Sequence, residues 1–372
     1  MPGMVFSEEQ EELRRTVRHF LESKSPPSEV RRLMETEEGY SSAVWEQMAE
    51  QLGLQALTVP ERWGGVGLGQ VELAIVLEEM GRTLVCAPYF ATVVLGVNAL
   101  LTAGDEEACA EYLPRIARGE VIATLALTED EGRWDEDGVA LEARRSGSEW
   151  RLDGHKTYVL DGHTAQLLLV VARTAGGLSL LAVEGDAGGL TRTALPTLDQ
   201  TRKLARVELS GTPGRLIGVE GGAGPALART LDLAAIGLAA EQVGGTQRCL
   251  EMSVDYAKMR YQFARPIGSF QAIKHKCADL LLQLESARSA ARYAAWAAAE
   301  DSPEVPVVAS LAKAVCSDAY FHAAAESIQI HGGIGFTWEH DAHLFFKRAK
   351  SSQLMFGDGA YHREHLAQRI GV

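Results

Sequence analysis

One carboxylate stands out in the 372-residue chain. Glu241 lies inside a long, proline-free run of mostly small apolar residues that begins near Leu227. Ala234, Gly237, Leu238, Glu241, Gly244 and Gly245 recur at three- and four-residue spacing, which puts them on one helix face. Small side chains there let something flat, a ligand or another helix, approach closely. A lone carboxylate on such a face is desolvated, with its pKa raised toward that of a useful general base. The competing reading is a buried glutamate paired with an arginine or capping a neighbouring helix. Further on, RYQFARPIGSFQ puts Arg260 at the end of the run, near Lys258 and Arg265. A guanidinium at a helix end can neutralise a diphosphate; the same three charges can also form a solvated basic cluster. Asp358 lies between Gly357 and Gly359, where a turn aspartate is the default. Tyr361, His362 and Arg363 on the last predicted helix either face phosphates or lie on a solvated face.

The elements that position these residues follow from the surrounding pattern. Two long antiparallel helices are expected, the first through Glu241 and the second from Ala272 to about Glu300, with Pro266 and Gly268 as the break. A connection that short makes the helices neighbours. Near the start, Ser7 with Glu8, Glu9 and Glu11 caps a helix predicted to run to about Ser23. Residues 41–52 and 70–81 also carry helical spacing. The glycines of TVPERWGGVGLGQVE form a loop between helices and not a dinucleotide fingerprint, since no GxGxxG follows a strand. The texture changes near Val121: ATLALTED, EWRLDGHKTYVLDG, LLLVVARTAGGLSLLAVE and KLARVELSG are short runs split by Gly and Asp turns. The expected fold class is therefore α+β and multidomain. An N-terminal helical domain spans 1–120, a β-barrel or sandwich 121–220, and a C-terminal helical domain 221–372.

Bulk properties narrow the function classes. The length exceeds the usual single domain, and 46% hydrophobic residues can build a substantial core. A net charge of −14 argues against nucleic-acid binding, which needs a basic face. The five cysteines show no CxxC or Cys/His spacing, so reduced thiols in a cytoplasm and no metal site are expected. The start, MPGMVFSEEQEELRRTV, has no apolar signal core, and no apolar run reaches membrane-spanning length.

At RYQFARPIGSFQAIKHKCADL the chain resembles the acyl-CoA dehydrogenases, and QIHGGIGFTWEHDAHLFFKRAK is similar to a second signature of that family. ERWGGVGLGQVE and DGHKTYVLDG fit in the same order, so the resemblance covers nearly the whole chain. A fainter likeness is to actinobacterial members acting on steroid side chains or other unusual acids. The resemblance implies a C-terminal four-helix bundle, FAD, and α,β-desaturation of an acyl-CoA thioester. A carboxylate takes the Cα proton, the Cβ hydrogen leaves as hydride to the flavin, and an electron-transfer flavoprotein accepts the electrons. It puts Arg260 and Gln271 on the diphosphate and adenine side of FAD, with Phe263 packing nearby. Gln329, Gly332 and Gly333 match a second FAD segment that reaches across a subunit interface. A homodimer or homotetramer is therefore implied, or a heterotetramer with a paralogous subunit. Thr128 and Glu129 match the start of the loop lining the flavin ring, but the Gly- and Ser-rich continuation is replaced by DEGRWDE. Tyr158 stands at the aromatic beside the flavin, and Leu160 replaces a threonine. The usual base position, in a Tyr-Glu-Gly-Thr segment, falls on Phe356, with Asp358 at the threonine beside the flavin. The alternative base position falls on Ala234. Glu241, two turns along the same face, is the expected catalytic base, with Asp358 as a lesser candidate. The competing expectations are a non-catalytic or half-catalytic subunit of a heteromeric acyl-CoA dehydrogenase and, keeping fold and flavin, an oxidase or flavin monooxygenase.

Overall fold

The computed structural model of the chain describes residues 6–147 and 149–372. Six helices come first: α1 (Glu8–Lys24), α2 (Pro27–Met34), α3 (Ser42–Glu50), α4 (Gln70–Thr83), α5 (Asn98–Ala103) and α6 (Glu106–Ala117). A π-helical stretch, Phe90–Val97, leads into α5. Seven strands follow: β1 (Ala123–Ala126), β2 (Glu142–Ser146), β3 (Glu149–Leu160), β4 (Leu167–Thr174), β5 (Gly177–Glu184), β6 (Leu190–Leu195) and β7 (Leu204–Ile217). The chain ends in α7 (Ala223–Met259), α8 (Gln271–Ala299), α9 (Val305–His331), α10 (Ala342–Leu354) and α11 (Gly359–Ile370). Ser7 caps α1 as its sequence foretells, in a full capping box with Gln10. No helix among the described residues is long and apolar enough to cross a membrane.

Residue contacts divide the chain into two compact units. One combines the chain up to Val30, Gln70–Val85 and Ala235–Val372; the other takes Arg31–Gly69 and Cys86–Ala234. In the second unit the strands close on themselves. β4 pairs with β5, β5 with β7, β7 with β3, β3 with β2, and β2 returns to β4 through Glu142 and Arg173. The β region is thus a barrel, with β1 parallel to β4 and β6 antiparallel to β7 at its margins. β3 carries a register shift between Lys156 and Val159, a bulge that reappears below.

The helical unit is built around α9, which packs on α8, α10 and α11. Alanines fill the contact: Ala287, Ala291, Ala294 and Ala298 of α8, and Ala309, Ala312, Ala323 and Ala324 of α9, are all buried. Small residues also explain the Glu241 face of α7. A methyl group added at Gly244 would lie 1.8 Å from the Glu78 carbonyl oxygen, and one at Gly81 would lie 2.0 Å from that of Glu241. One at Gly245 would enter the Tyr320 ring at 2.3 Å. What approaches this face is therefore helix α4, backbone to backbone, with α9 alongside. Gly244→Ala is expected to cost about 1–3 kcal/mol through forced separation of α4 and α7. Denaturant unfolding checks this, and a variant as stable as the parent contradicts the close crossing.

Candidate functional site

Glu241 has a partner. Its Oε1 accepts a hydrogen bond from Arg348 Nη1 of α10 at 3.0 Å, and both side chains are buried. This buried ion pair ties the carboxylate to α10, the paired-glutamate alternative to a free base. Next to it, Gln242 Nε2 donates to Ser317 Oγ of α9 at 3.1 Å. Ser317 Oγ in turn accepts a hydrogen bond from the buried Lys313 ammonium at 3.0 Å. Lys313 also donates to the carbonyls of Gln353 (3.1 Å) and Gly357 (2.9 Å). Burial pulls its pKa down to about 7. All three ammonium hydrogens are engaged, two of them on the C-terminal end of α10 and the loop that follows.

That loop carries Phe356, which is buried and held at φ 59°, with Gly357 at φ 99°. A left-handed non-glycine residue survives only where its surroundings fix it. Lys313 does so from one side. From the other, His362 Nε2 donates to the Phe356 carbonyl at 3.0 Å. His362 is buried, and desolvation with the nearby Lys313 charge lowers its pKa to about 3, so it is neutral. It does not face solvent phosphates. The Tyr361 ring lies tilted against His365, with centroids 4.1 Å apart, and Arg363 pairs with Asp318. The Asp358 carboxylate accepts the Tyr361 N–H at 2.9 Å as the N-cap of α11. It is therefore the turn residue its glycine neighbours suggested.

The two segments assigned to the FAD diphosphate side meet in the helical unit. The Tyr256 ring, one turn before Arg260, lies 4.4 Å from His331, the last residue of α9. His331 in turn lies 4.2 Å from His340. Arg260, Gln271, Gln329, Gly332 and Gly333 are all exposed at this end. Between α7 and α8 the chain forms a two-residue ladder, Tyr261–Gln262 with Arg265–Pro266, turned by Phe263 (φ 55°) and Ala264 (φ 61°). Phe263 is 87% exposed. α8 starts at Gln271 with no side-chain hydrogen bond to cap it; the Ile273 and Lys274 N–H groups donate to the Phe270 carbonyl, each at 3.1 Å. Gly332 has φ 63°, and neither Gly332 nor Gly333 has an atom within 4 Å of where a Cβ would sit. An exposed arginine, a helix N-terminus without a side-chain cap and accessible glycine backbone are a donor set for an anion. Sequence reasoning missed Tyr256, His331 and Lys313. An apolar-helix lysine flanked by alanines was the available signal for the last.

In the barrel unit, Thr128 is buried, and its hydroxyl donates to the Thr157 carbonyl at 2.5 Å. Its side chain is committed to the sheet and does not line an open face. Tyr158 sits on the β3 bulge at φ 60° and is 42% exposed. Leu160 is buried, and its carbonyl accepts from Thr124 Oγ1 at 2.6 Å.

Comparison with known proteins decides the family. Models of the acyl-CoA dehydrogenase N-terminal, middle and C-terminal domains match residues 7–120, 124–210 and 222–371. The chain belongs to the acyl-CoA dehydrogenase family. It is 38% identical to acyl-CoA dehydrogenase IpdE2 of Mycobacterium tuberculosis, over 94% of this chain and 93% of that one. Among solved structures, the ChsE4-ChsE5 complex of Mycobacterium tuberculosis superposes with a TM-score of 0.90 at 27% identity, covering 99% of this chain and 98% of that one. An acyl-CoA dehydrogenase complexed with FAD from Bacillus anthracis superposes with a TM-score of 0.93 at 25% identity, covering 98% of this chain and 67% of that one.

If the Glu241–Arg348 pair is a structural tie of the acyl-CoA dehydrogenase bundle, Arg348→Met strands a buried carboxylate. A loss of about 3–5 kcal/mol is expected, partly recovered in Glu241→Gln/Arg348→Met. Urea unfolding of the three proteins measures it. A neutral Arg348→Met would remove the pair from the account of stability.

Proposed function

We propose that this chain is an FAD-binding subunit of an acyl-CoA dehydrogenase that works with a second, non-identical chain. The second chain supplies the carboxylate that removes the Cα proton. The observation that carries this reading is the pairing of Glu241 with Arg348 together with the buried Phe356. Desaturation of an acyl-CoA to the trans-2-enoyl-CoA starts at a Cα–H acidified by the thioester carbonyl, and a positioned base must accept that proton. Phe356 and Ala234 have no group that can take a proton, Asp358 caps a helix, and Glu241 is tied to a guanidinium inside the bundle.

Exposed groups that suit a flavin's diphosphate end support the FAD-binding part of this reading. Arg260, the start of α8 at Gln271, Gln329, Gly332 and Gly333 would hold the diphosphate and adenine end, with Phe263 beside them. Tyr158 would lie by the ring. FAD bound there supplies the hydride acceptor for the Cβ hydrogen, and an electron-transfer flavoprotein is the proposed electron acceptor. The ChsE4-ChsE5 structure is a complex of two differently named chains, which supports a paired assembly as a working form of this fold.

The test is anaerobic flavin reduction by a panel of acyl-CoA esters, from straight-chain to steroid side-chain. The chain alone should leave its flavin oxidised. Co-expressed with an acyl-CoA dehydrogenase chain that carries glutamate at the position of Phe356, it should form a complex whose flavin is bleached. Rapid bleaching of the chain alone, abolished by Glu241→Gln, would overturn the proposal and make Glu241 the base of a self-sufficient enzyme.

A further inference from the structure

Two lysines among the described residues are completely buried, and the second, Lys156 of β3, serves no step described so far. Its ammonium donates to the Leu127 carbonyl at 2.9 Å and to Glu129 Oε1 at 2.8 Å. The same Glu129 oxygen accepts the backbone N–H groups of Ala140 and Leu141, each at 2.9 Å. One carboxylate oxygen therefore gathers three donors and closes the segment between Glu129 and Ala140 into a loop. Burial disfavours the ionised form of Glu129. Lys156 and the two N–H groups outweigh it and hold the pKa below the usual carboxylate range. A buried lysine without that carboxylate would be left uncompensated, so the two residues require each other.

The loop's first turn is fixed just as closely. Gly132 N–H returns to the Glu129 carbonyl at 2.9 Å, and Gly132 has φ 66°. Asp130 accepts from Thr157 Oγ1 at 2.9 Å and from Arg206 Nη1 at 2.7 Å. A Cβ placed on Gly132 would lie 3.8 Å from Cε2 of Tyr158. The bulge in β3 makes this possible. By simple alternation Lys156 and Tyr158 would share a face, but the register shift turns Lys156 inward and Tyr158 outward.

We propose that Lys156, acting through Glu129, is a positioning residue: it clips the 129–141 loop against Tyr158 and so shapes the seat of the flavin ring. This rests on the assignment of Tyr158 to the flavin side.

The experiment compares wild type, Lys156→Met and Glu129→Ala. Glu129 is partly exposed, so Glu129→Ala keeps the question open to test if Lys156→Met fails to fold. In the FAD-free chain, tryptic cleavage after the exposed Arg133 should accelerate by roughly tenfold or more in either variant, the scale of a lost hydrogen bond to a charged group. In protein loaded with FAD, alone or in complex with its companion, the FAD Kd should rise by roughly tenfold. The visible circular dichroism of the bound flavin should also change, which a general loss of stability would not produce. Unchanged cleavage at Arg133 overturns the clip. Faster cleavage with unchanged FAD affinity and flavin spectrum overturns its role at the ring. A wild-type protein that takes up no FAD in either form refutes the proposed function itself and, separately from the cleavage result, the flavin role of the loop.

Discussion

The helical unit depends on one crossing, where α4 and α7 touch backbone to backbone at Gly81 and Gly244. Glycine removes the side-chain layer that normally sets helix spacing at 8–10 Å. Everything on that stretch of α7 is then buried, including two polar residues that cannot stay unsatisfied. Glu241 is met by Arg348 of α10, and Gln242 by Ser317 and, through it, Lys313 of α9. Lys313 passes the connection to the end of α10 and to Gly357. The tight crossing thus dictates a polar line through the bundle, and that line ends on the loop that carries Phe356. Removal of either charge alone leaves the other buried without its counterion, which is why the pair behaves as a unit.

The barrel unit solves a similar problem in the same way. Lys156 is buried because the bulge in β3 turns it inward, and Glu129 meets it there. In both units a fully buried lysine holds a loop by its carbonyls or its carboxylate. Ammonium groups suit this work because they offer three donors and no acceptor. The loops so fixed are the one that carries Phe356 and the one between Glu129 and Ala140.

Much of this was legible in the chain itself. The helix–barrel–helix order follows from the switch of hydrophobic period at Val121 and back past Gly221, and the α7–α8 break from Pro266 and Gly268. Glu241 was legible as an anomaly, and the small residues on its face as a close approach. What the sequence could not choose was the object that approaches and the partner of the carboxylate. Arg348 lies 107 residues away and reads locally as one more surface charge in KRAK. Thr128 matches a flavin-lining position in the sequence, yet its hydroxyl donates to the Thr157 carbonyl. Lys156 and Tyr158 read as neighbours on one face because a bulge leaves no mark in strand alternation. Such contacts are set by tertiary pairing, which local pattern does not encode.

The role of Glu241 is the point on which function turns. A base that removes the Cα proton also catalyses exchange of that proton with solvent, whether or not hydride transfer follows. The direct measurement is deuterium incorporation at Cα of an acyl-CoA in D2O, by the FAD-loaded chain without a companion subunit. With Glu241 held by Arg348 and Phe356 at the loop, no exchange above the uncatalysed rate is expected in wild type or in Glu241→Gln. Exchange in wild type that disappears in Glu241→Gln would show that the carboxylate leaves its ion pair to act as the base, and would contradict the structural role given to it here.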